Sequence, residues 1–508
     1  MLVSPTALRR WVTGPIVPLC LGLSLAITSR APGAPVEVRL VEAVKNADTP
    51  AVRALLKTDV DVNVPEADGT TALHWAVRLD LQPLADILIA AGADVMVANL
   101  FEVTPLSLAA INGNRDMIGT LLAAGADPNV AMAKGEAALL TAARTGKADA
   151  IHMLVAYGAD VNVTQGAGQT PLMWAAAERH SDIVKVLLEH GADVRAVSEG
   201  GATVLLIAAR EDELAIAGLL ISAGANVNDM APDGTTPLIV ATVRGHAELA
   251  MLLLDHGADP NTVATGYTAL HWASGSWHTE LTGRLRGIAT ERDDEWLSLN
   301  GLRSGKLELV EALLARGADP DVRLAAEPPQ FGYASPRFRV SLVGATPFLL
   351  AAMDGNISVM RVLASAGADP LLGTDRNTTP LMVAAGLGRV PAETRVTEKE
   401  SLQAVQLALE LGADVNSTND VGRTALHGAA HVRSDTIVQL LVDEGAMLNV
   451  ADERGVTPLM IAEGGGHIFL PGLGGGSTAE LLRTLGSSSS APSSVIENFT
   501  EGATRRKP

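Results

Sequence analysis

The stretch TPLMWAAAERHSDIVKVLLEHGAD, running from Thr170 to Asp193, decides how the rest of the chain is read. Thr170 before Pro171 is a helix start. A threonine oxygen caps free backbone N–H groups, and proline at the first helical position forfeits nothing. Leu172, Trp174 and Ala175 supply the apolar face of one short helix. Ile183 to Leu188 supplies that of a second. Gly191 ends it, because glycine enters the left-handed conformation of a helix C-terminus without steric cost. Asp193 then opens a turn toward the next threonine.

The same punctuation recurs along most of the chain. A Thr-(Pro/Ala/Val)-Leu step begins at Thr71, Thr104, Thr170, Thr203, Thr236, Thr268, Thr379, Thr424 and Thr457. Thr346-Pro347-Phe348 is a variant, and Ala137-Ala138-Leu139 is a degenerate copy in phase. From residue 71 to residue 236 the interval is 33 residues each time. Gly-Ala-Asp starts at Gly92, Gly125, Gly158, Gly191, Gly257, Gly317, Gly367 and Gly412, with variants at Gly224 and Gly445. Asp59-Val60-Asp61 stands in the same phase.

This pattern resembles the ankyrin repeat, a helix–turn–helix plus a β-turn finger. The nearest copies are Thr71-Ala72-Leu73-His74-Trp75-Ala76, Thr268-Ala269-Leu270-His271-Trp272-Ala273 and Thr424-Ala425-Leu426-His427-Gly428-Ala429. The resemblance covers residues 36–486 in about twelve units, with an atypical first (36–64) and last (455–486). It implies an all-α solenoid whose inner helices and fingers form a concave recognition face. It also implies a structural role for His74, His271 and His427, hydrogen-bonded to a neighbouring finger. Trp75, Trp174 and Trp272 occupy the following phase and are expected to pack at the groove edge. More narrowly, the chain resembles exported bacterial ankyrin proteins with insertions in late repeats.

Composition agrees with a helical stack of small side chains. Hydrophobic residues make up 47% of the 508 residues and aromatics only 3%. The net charge of −19 repels phosphate backbones, so nucleic acid is excluded as a general partner. With one cysteine, Cys20, no disulfide framework or Cys-based zinc site is possible within the chain.

Residues 1–31 read as an export signal. Arg9 and Arg10 close a basic start, and Trp11 to Ile27 is an apolar run of 17 residues, short for a bilayer span. Ser24-Leu25-Ala26 offers a cleavage site. An uncleaved anchor is the competing reading, while Leu19 before Cys20 speaks against a lipoprotein. Arginine-over-lysine usage with heavy Ala and Gly points to a bacterial chain, periplasmic or secreted, with no stable membrane insertion after cleavage.

Three insertions interrupt the late units. Thr268 to Gly317 spans 49 residues against 21 from Thr236 to Gly257, placing 28 extra residues between two helices, about 274–305. The next finger carries 17 extra, about 320–343, and a further 12 lie around 387–399. The finger insertion concentrates Phe331, Tyr333, Arg337, Phe338 and Arg339, residue types that anchor interfaces, and reads equally as a loop folded back to cover its own repeat. The inter-helix insertion carries Trp277, Trp296 and an acidic run (Glu291, Asp293, Asp294, Glu295), and reads as a self-packing loop with a solvated charged face ahead of a partner site. Residues 487–508 read as a disordered tail.

No residue set specifies a reaction. His271, His278 and Glu280 match no standard zinc spacing, and the glycine-rich stretch Gly464–Gly476 lacks the Gly-Lys-Ser/Thr of a phosphate loop. No cofactor, metal or catalytic residue is expected. The expected function is non-catalytic protein binding by an exported scaffold. The alternatives are an accessory or catalytic module of an envelope enzyme with its site in the late insertions, and a secreted effector acting on another cell.

Overall fold

The computed structural model describes residues 36–58, 60–130, 136–264, 266–275, 305–327, 340–389, 396–464 and 476–488. The chain divides between Pro232 and Asp233 into two compact units.

The N-terminal unit pairs twelve short helices: α1 (Val36–Lys45) with α2 (Thr49–Leu55), α3 (Ala72–Arg78) with α4 (Gln82–Ala90), α5 (Pro105–Asn112) with α6 (Arg115–Ala123), α7 (Ala138–Thr145) with α8 (Ala148–Ala156), α9 (Pro171–Ala177) with α10 (Ser181–Glu189), and α11 (Val204–Glu211) with α12 (Leu214–Ser222). First helices stack on first helices and second on second, so each pair touches only the pairs beside it.

The C-terminal unit repeats the scheme with α13 (Pro237–Arg244) and α14 (Ala247–Asp255), α15 (Ala269–Ser274) and α16 (Lys306–Ala315), α17 (Pro347–Met353) and α18 (Ile357–Ser365), α19 (Pro380–Ala384) and α20 (Glu398–Glu410), α21 (Ala425–Val432) and α22 (Asp435–Asp443), and α23 (Pro458–Ala462) and α24 (Ser477–Thr484). The described residues are thus all-helical, with fingers in place of sheets. No helix among them is long and apolar enough to cross a membrane.

Each helix pair follows from the local sequence. The Thr170 hydroxyl accepts the Met173 N–H at 3.3 Å, and Pro171 starts α9. Isolated helices of seven to nine residues are unstable in water. These persist because Leu172, Ala175, Ile183, Val184 and Leu187 are buried against neighbouring pairs. Gly191 follows α10 with φ of +83°, as a helix terminator requires. Unit four departs from the pattern: Ala137 offers no side-chain cap to α7.

The late insertions have described ends. The first leaves α15 at Gly275 and returns at Gly305, before α16. Lys306 closes that neck, donating to the Gly275 carbonyl at 2.9 Å and pairing with Asp354 at 3.2 Å. The finger insertion is also closed at its base. The Glu327 carboxylate accepts the Ser341 hydroxyl and the Leu342 N–H, while its carbonyl accepts the Tyr267 hydroxyl at 2.5 Å. The third expected insertion, 387–399, has described residues at both ends. Leu387 and Arg389 are buried in the core. Thr397 to Lys399 start α20, a thirteen-residue helix capped by reciprocal bonds between Thr397 and Glu400. Helix growth on the far side thus absorbs part of the added length.

Candidate partner-binding surface

The finger edge is a framework of hydrogen bonds repeated unit by unit. In each finger the Gly-Ala-Asp carboxylate turns back on its own backbone. Asp94, Asp127, Asp160 and Asp193 accept the N–H two residues on, at 2.8 to 2.9 Å. These turns account for the recurring aspartates as turn formers.

A second device clips neighbouring fingers together, and the sequence reading missed it. Asn63 donates to the Gly92 carbonyl and accepts the Asp94 N–H. Asn129 does the same with Gly158 and Asp160, and Asn416 with Gly445 and Met447. Its only sequence signal is asparagine four residues after the finger glycine. That reads as an ordinary turn former, because the partner lies 29 residues ahead.

The three marker histidines occupy one geometry. His74 Nδ1 accepts the Thr71 N–H at 3.2 Å and lies 2.8 Å from its hydroxyl, while Nε2 faces the Val103 carbonyl at 3.0 Å. His271 faces Val322, and His427 faces Val456, in the same way. A backbone N–H can only donate and a carbonyl can only accept. Each ring is therefore neutral, with its proton on Nε2. Burial lowers the affinity of all three for a proton, to a pKa of about 4 for His271 and His427. They join a helix start to the next finger.

The tryptophans sit beside them. Trp75 donates to Glu66 at 2.6 Å and lies under the ammonium of Lys45 and the guanidinium of Arg78. Trp174 packs on Ala137 and Leu140 of the preceding unit, and its Nε1 has no hydrogen-bond partner among the described residues. Trp272 meets the buried Tyr267 at 5.5 Å between ring centres. Burial, reinforced by Glu327, pushes the Tyr267 hydroxyl up to about 12.

Other polar groups are bound into the core. Arg389 is buried, donates to the Met353 carbonyl at 2.8 and 3.1 Å and bonds Ser401, and burial lowers its pKa to about 10. Arg423 pairs with buried Asp452 at 3.1 Å. His278, Glu280 and the expected partner-binding residues Trp277, Trp296, Phe331, Tyr333, Arg337, Phe338 and Arg339 lie outside the described residues, as do the export signal and most of the tail.

Among the exposed finger residues are apolar ones. Met96, Leu100, Phe101, Val197 and Met230 are exposed on finger segments of the N-terminal unit. Between two fingers lies a cleft of about 570 Å³, lined by Arg195, Val197, Asp229 and Met230 among others. Such a row of exposed side chains on a bonded scaffold suits recognition of a macromolecular surface.

A family description, ankyrin repeats in three copies, matches residues 40–99, 82–165, 106–198, 139–231, 205–285 and 395–469, together more than half of the chain. The chain belongs to the ankyrin repeat family. Ankyrin repeats are protein–protein interaction modules, which indicates protein partners. The E3 ubiquitin-protein ligase KEG of Arabidopsis thaliana is 30% identical over 156 residues, 30% of this chain and 8% of that protein. Ankyrin repeat domain-containing protein 63 of Homo sapiens is 34% identical over 126 residues, 24% of this chain and 31% of its own length. The chain thus spans less than a third of the length of either relative. The crystal structure of the human ASB11 ankyrin repeat domain is 26% identical, with a TM-score of 0.40, covering 44% of this chain and 98% of that one.

Proposed function

We propose that this ankyrin chain is an exported, non-catalytic scaffold that binds protein partners along its finger edge. The observation that carries the reading is the finger framework itself. Side chains that neither the repeat nor the core requires stand exposed on turns whose backbone is already bonded. The C-terminal unit adds the finger insertion, whose ends are described. Its base is closed by Glu327, Ser341 and Tyr267, so residues 328–339 leave and return at one point. Phe331, Tyr333, Arg337, Phe338 and Arg339 lie within that span and are proposed as further partner contacts.

Affinity capture tests this. The full chain and a variant with 328–339 replaced by a short glycine linker are each used to recover proteins from the envelope fraction of the source cell. Closure cost grows slowly with loop length, so the variant is expected to melt like the wild type. Loss of bound proteins with unchanged melting supports the reading, and undiminished recovery removes the loop from it. Export is tested by N-terminal sequencing of the secreted or periplasmic protein, which is expected to begin after Ala26. Retention of Met1 in a membrane-bound form would contradict it.

A further inference from the structure

We propose that the finger tip Leu100-Phe101-Glu102 is the anchor with which the N-terminal unit grips a basic segment of a partner protein bearing an apolar residue. The proposal rests on the scaffold reading above and names the partner chemistry for one place on its edge.

Comparison of equivalent fingers sets the tip apart from most of them. The corresponding triplets are Ala67-Asp68-Gly69, Gly166-Ala167-Gly168, Glu199-Gly200-Gly201, Asp420-Val421-Gly422 and Glu453-Arg454-Gly455. These five end in glycine, with φ between +75° and +83°, as do the fingers at Gly234 and Gly344, at +85° and +81°, while Asn377, a residue type that tolerates this conformation, fills the same place at +56°. Glu102 takes the same left-handed conformation, φ +58°, with a full side chain. Local physics favours glycine there. An acidic residue held in a disfavoured conformation, directly after two apolar ones in a solvated turn, is an outlier that points to a use.

The tip is also rigid. The Leu100 N–H bonds the Asp68 carbonyl of the adjacent finger at 2.9 Å. Phe101 and Val103 donate to the Asn99 side chain at 3.0 Å, and Glu102 to the Asn99 carbonyl at 2.9 Å. Gly69 makes this approach possible, since a Cβ there would stand 2.9 Å from the Leu100 nitrogen. With its backbone already satisfied, the tip holds Leu100 at 75% and Phe101 at 66% exposure. A rigid aromatic–aliphatic pair loses little conformational freedom on binding, which is what an interface anchor needs.

Charge selects the partner. Glu102 and Asp94 are exposed on this finger, and Asp68 lies on the finger bonded to it. In a chain of net charge −19, a partner segment carrying lysine or arginine around its apolar residue is attracted, and an acidic one repelled.

The test pans a displayed library of sixteen-residue peptides on the immobilised full chain and measures the selected peptides against three variants. These are L100S/F101S, E102G, and the chain with 328–339 excised. The expected result is peptides enriched in Lys or Arg around an apolar residue. Their affinity should fall at least tenfold with L100S/F101S and with rising salt, and stay unchanged with the excision. E102G is expected to raise the melting temperature while weakening those peptides. Peptides indifferent to L100S/F101S but lost on excision overturn the anchor and leave the scaffold standing. Acidic peptides overturn the partner chemistry, and a library that yields no binder to any variant counts against both proposals.

Discussion

His271 and His427 show how much one side chain is asked to do. Each accepts a backbone N–H on one nitrogen and donates to a finger carbonyl from the other, so a second proton has no place. Burial holds both at about 4, below the 6.5 of a free histidine. Between those values the unfolded chain binds a proton at each site that the folded chain does not. Their stabilisation is therefore complete above pH 6.5 and is lost as pH falls toward 4, at about 1.4 kcal/mol per pH unit for each ring. The charged neighbours are Asp319 beside His271, and Asp452 and Arg423 beside His427. NMR titration of the folded protein is expected to show no transition of these rings near pH 6.5; one there would refute the bonding scheme. Ala137 gives a second test at this scale. Ala137→Ser restores a cap to α7 and is expected to stabilise by about 0.5–1 kcal/mol, seen as slower exchange in Ala138–Thr145. Unchanged exchange would show that burial beside Trp174 prevents the cap from forming. Threonine caps and helix-ending glycines were legible in sequence because their partners lie within a few residues. The asparagine clips were not, because their meaning depends on the next finger.

At the scale of the element, helix pairs could be read from the chain wherever the repeat ran true, and where it did not the period alone left open how much of the added length was helix. The stretch 387–399 counts as an insertion against the period. Its ends are nonetheless packed: Leu387 and Arg389 are buried beyond the end of α19, and the Thr397–Glu400 capping box starts α20. That box was present in the sequence, where the count of extra residues overshadowed it. Arg389 fixes the junction by reaching the Met353 carbonyl with two nitrogens of its planar guanidinium. Lysine cannot reproduce that fork. Arg389→Lys is expected to cost about 1–3 kcal/mol, the penalty of a buried acceptor left short of a donor. Hydrogen exchange should show the loss confined to α17–α20; uniform loss through both units would contradict nearest-neighbour stacking. The apolar finger tip escaped the sequence reading for a similar reason. Attention went to the aromatic concentration at 331–338, whereas Phe101 is a single aromatic whose exposure only the folded finger reveals.

At the scale of the molecule, twenty-four described helices form twelve pairs, six in each unit. Within each unit stability is local, because each pair packs only on its neighbours. On the reading proposed above, function then depends on the finger edge, where the N-terminal unit exposes Met96, Leu100, Phe101, Val197 and Met230. Hydrogen exchange of the full chain, with and without a saturating partner recovered by capture, tests this most directly. The account predicts slower exchange in the finger segments, Val95 to Thr104 foremost, with α4, α6, α8 and α10 unchanged. Protection gained along those second helices, with the fingers left as they were, would contradict it.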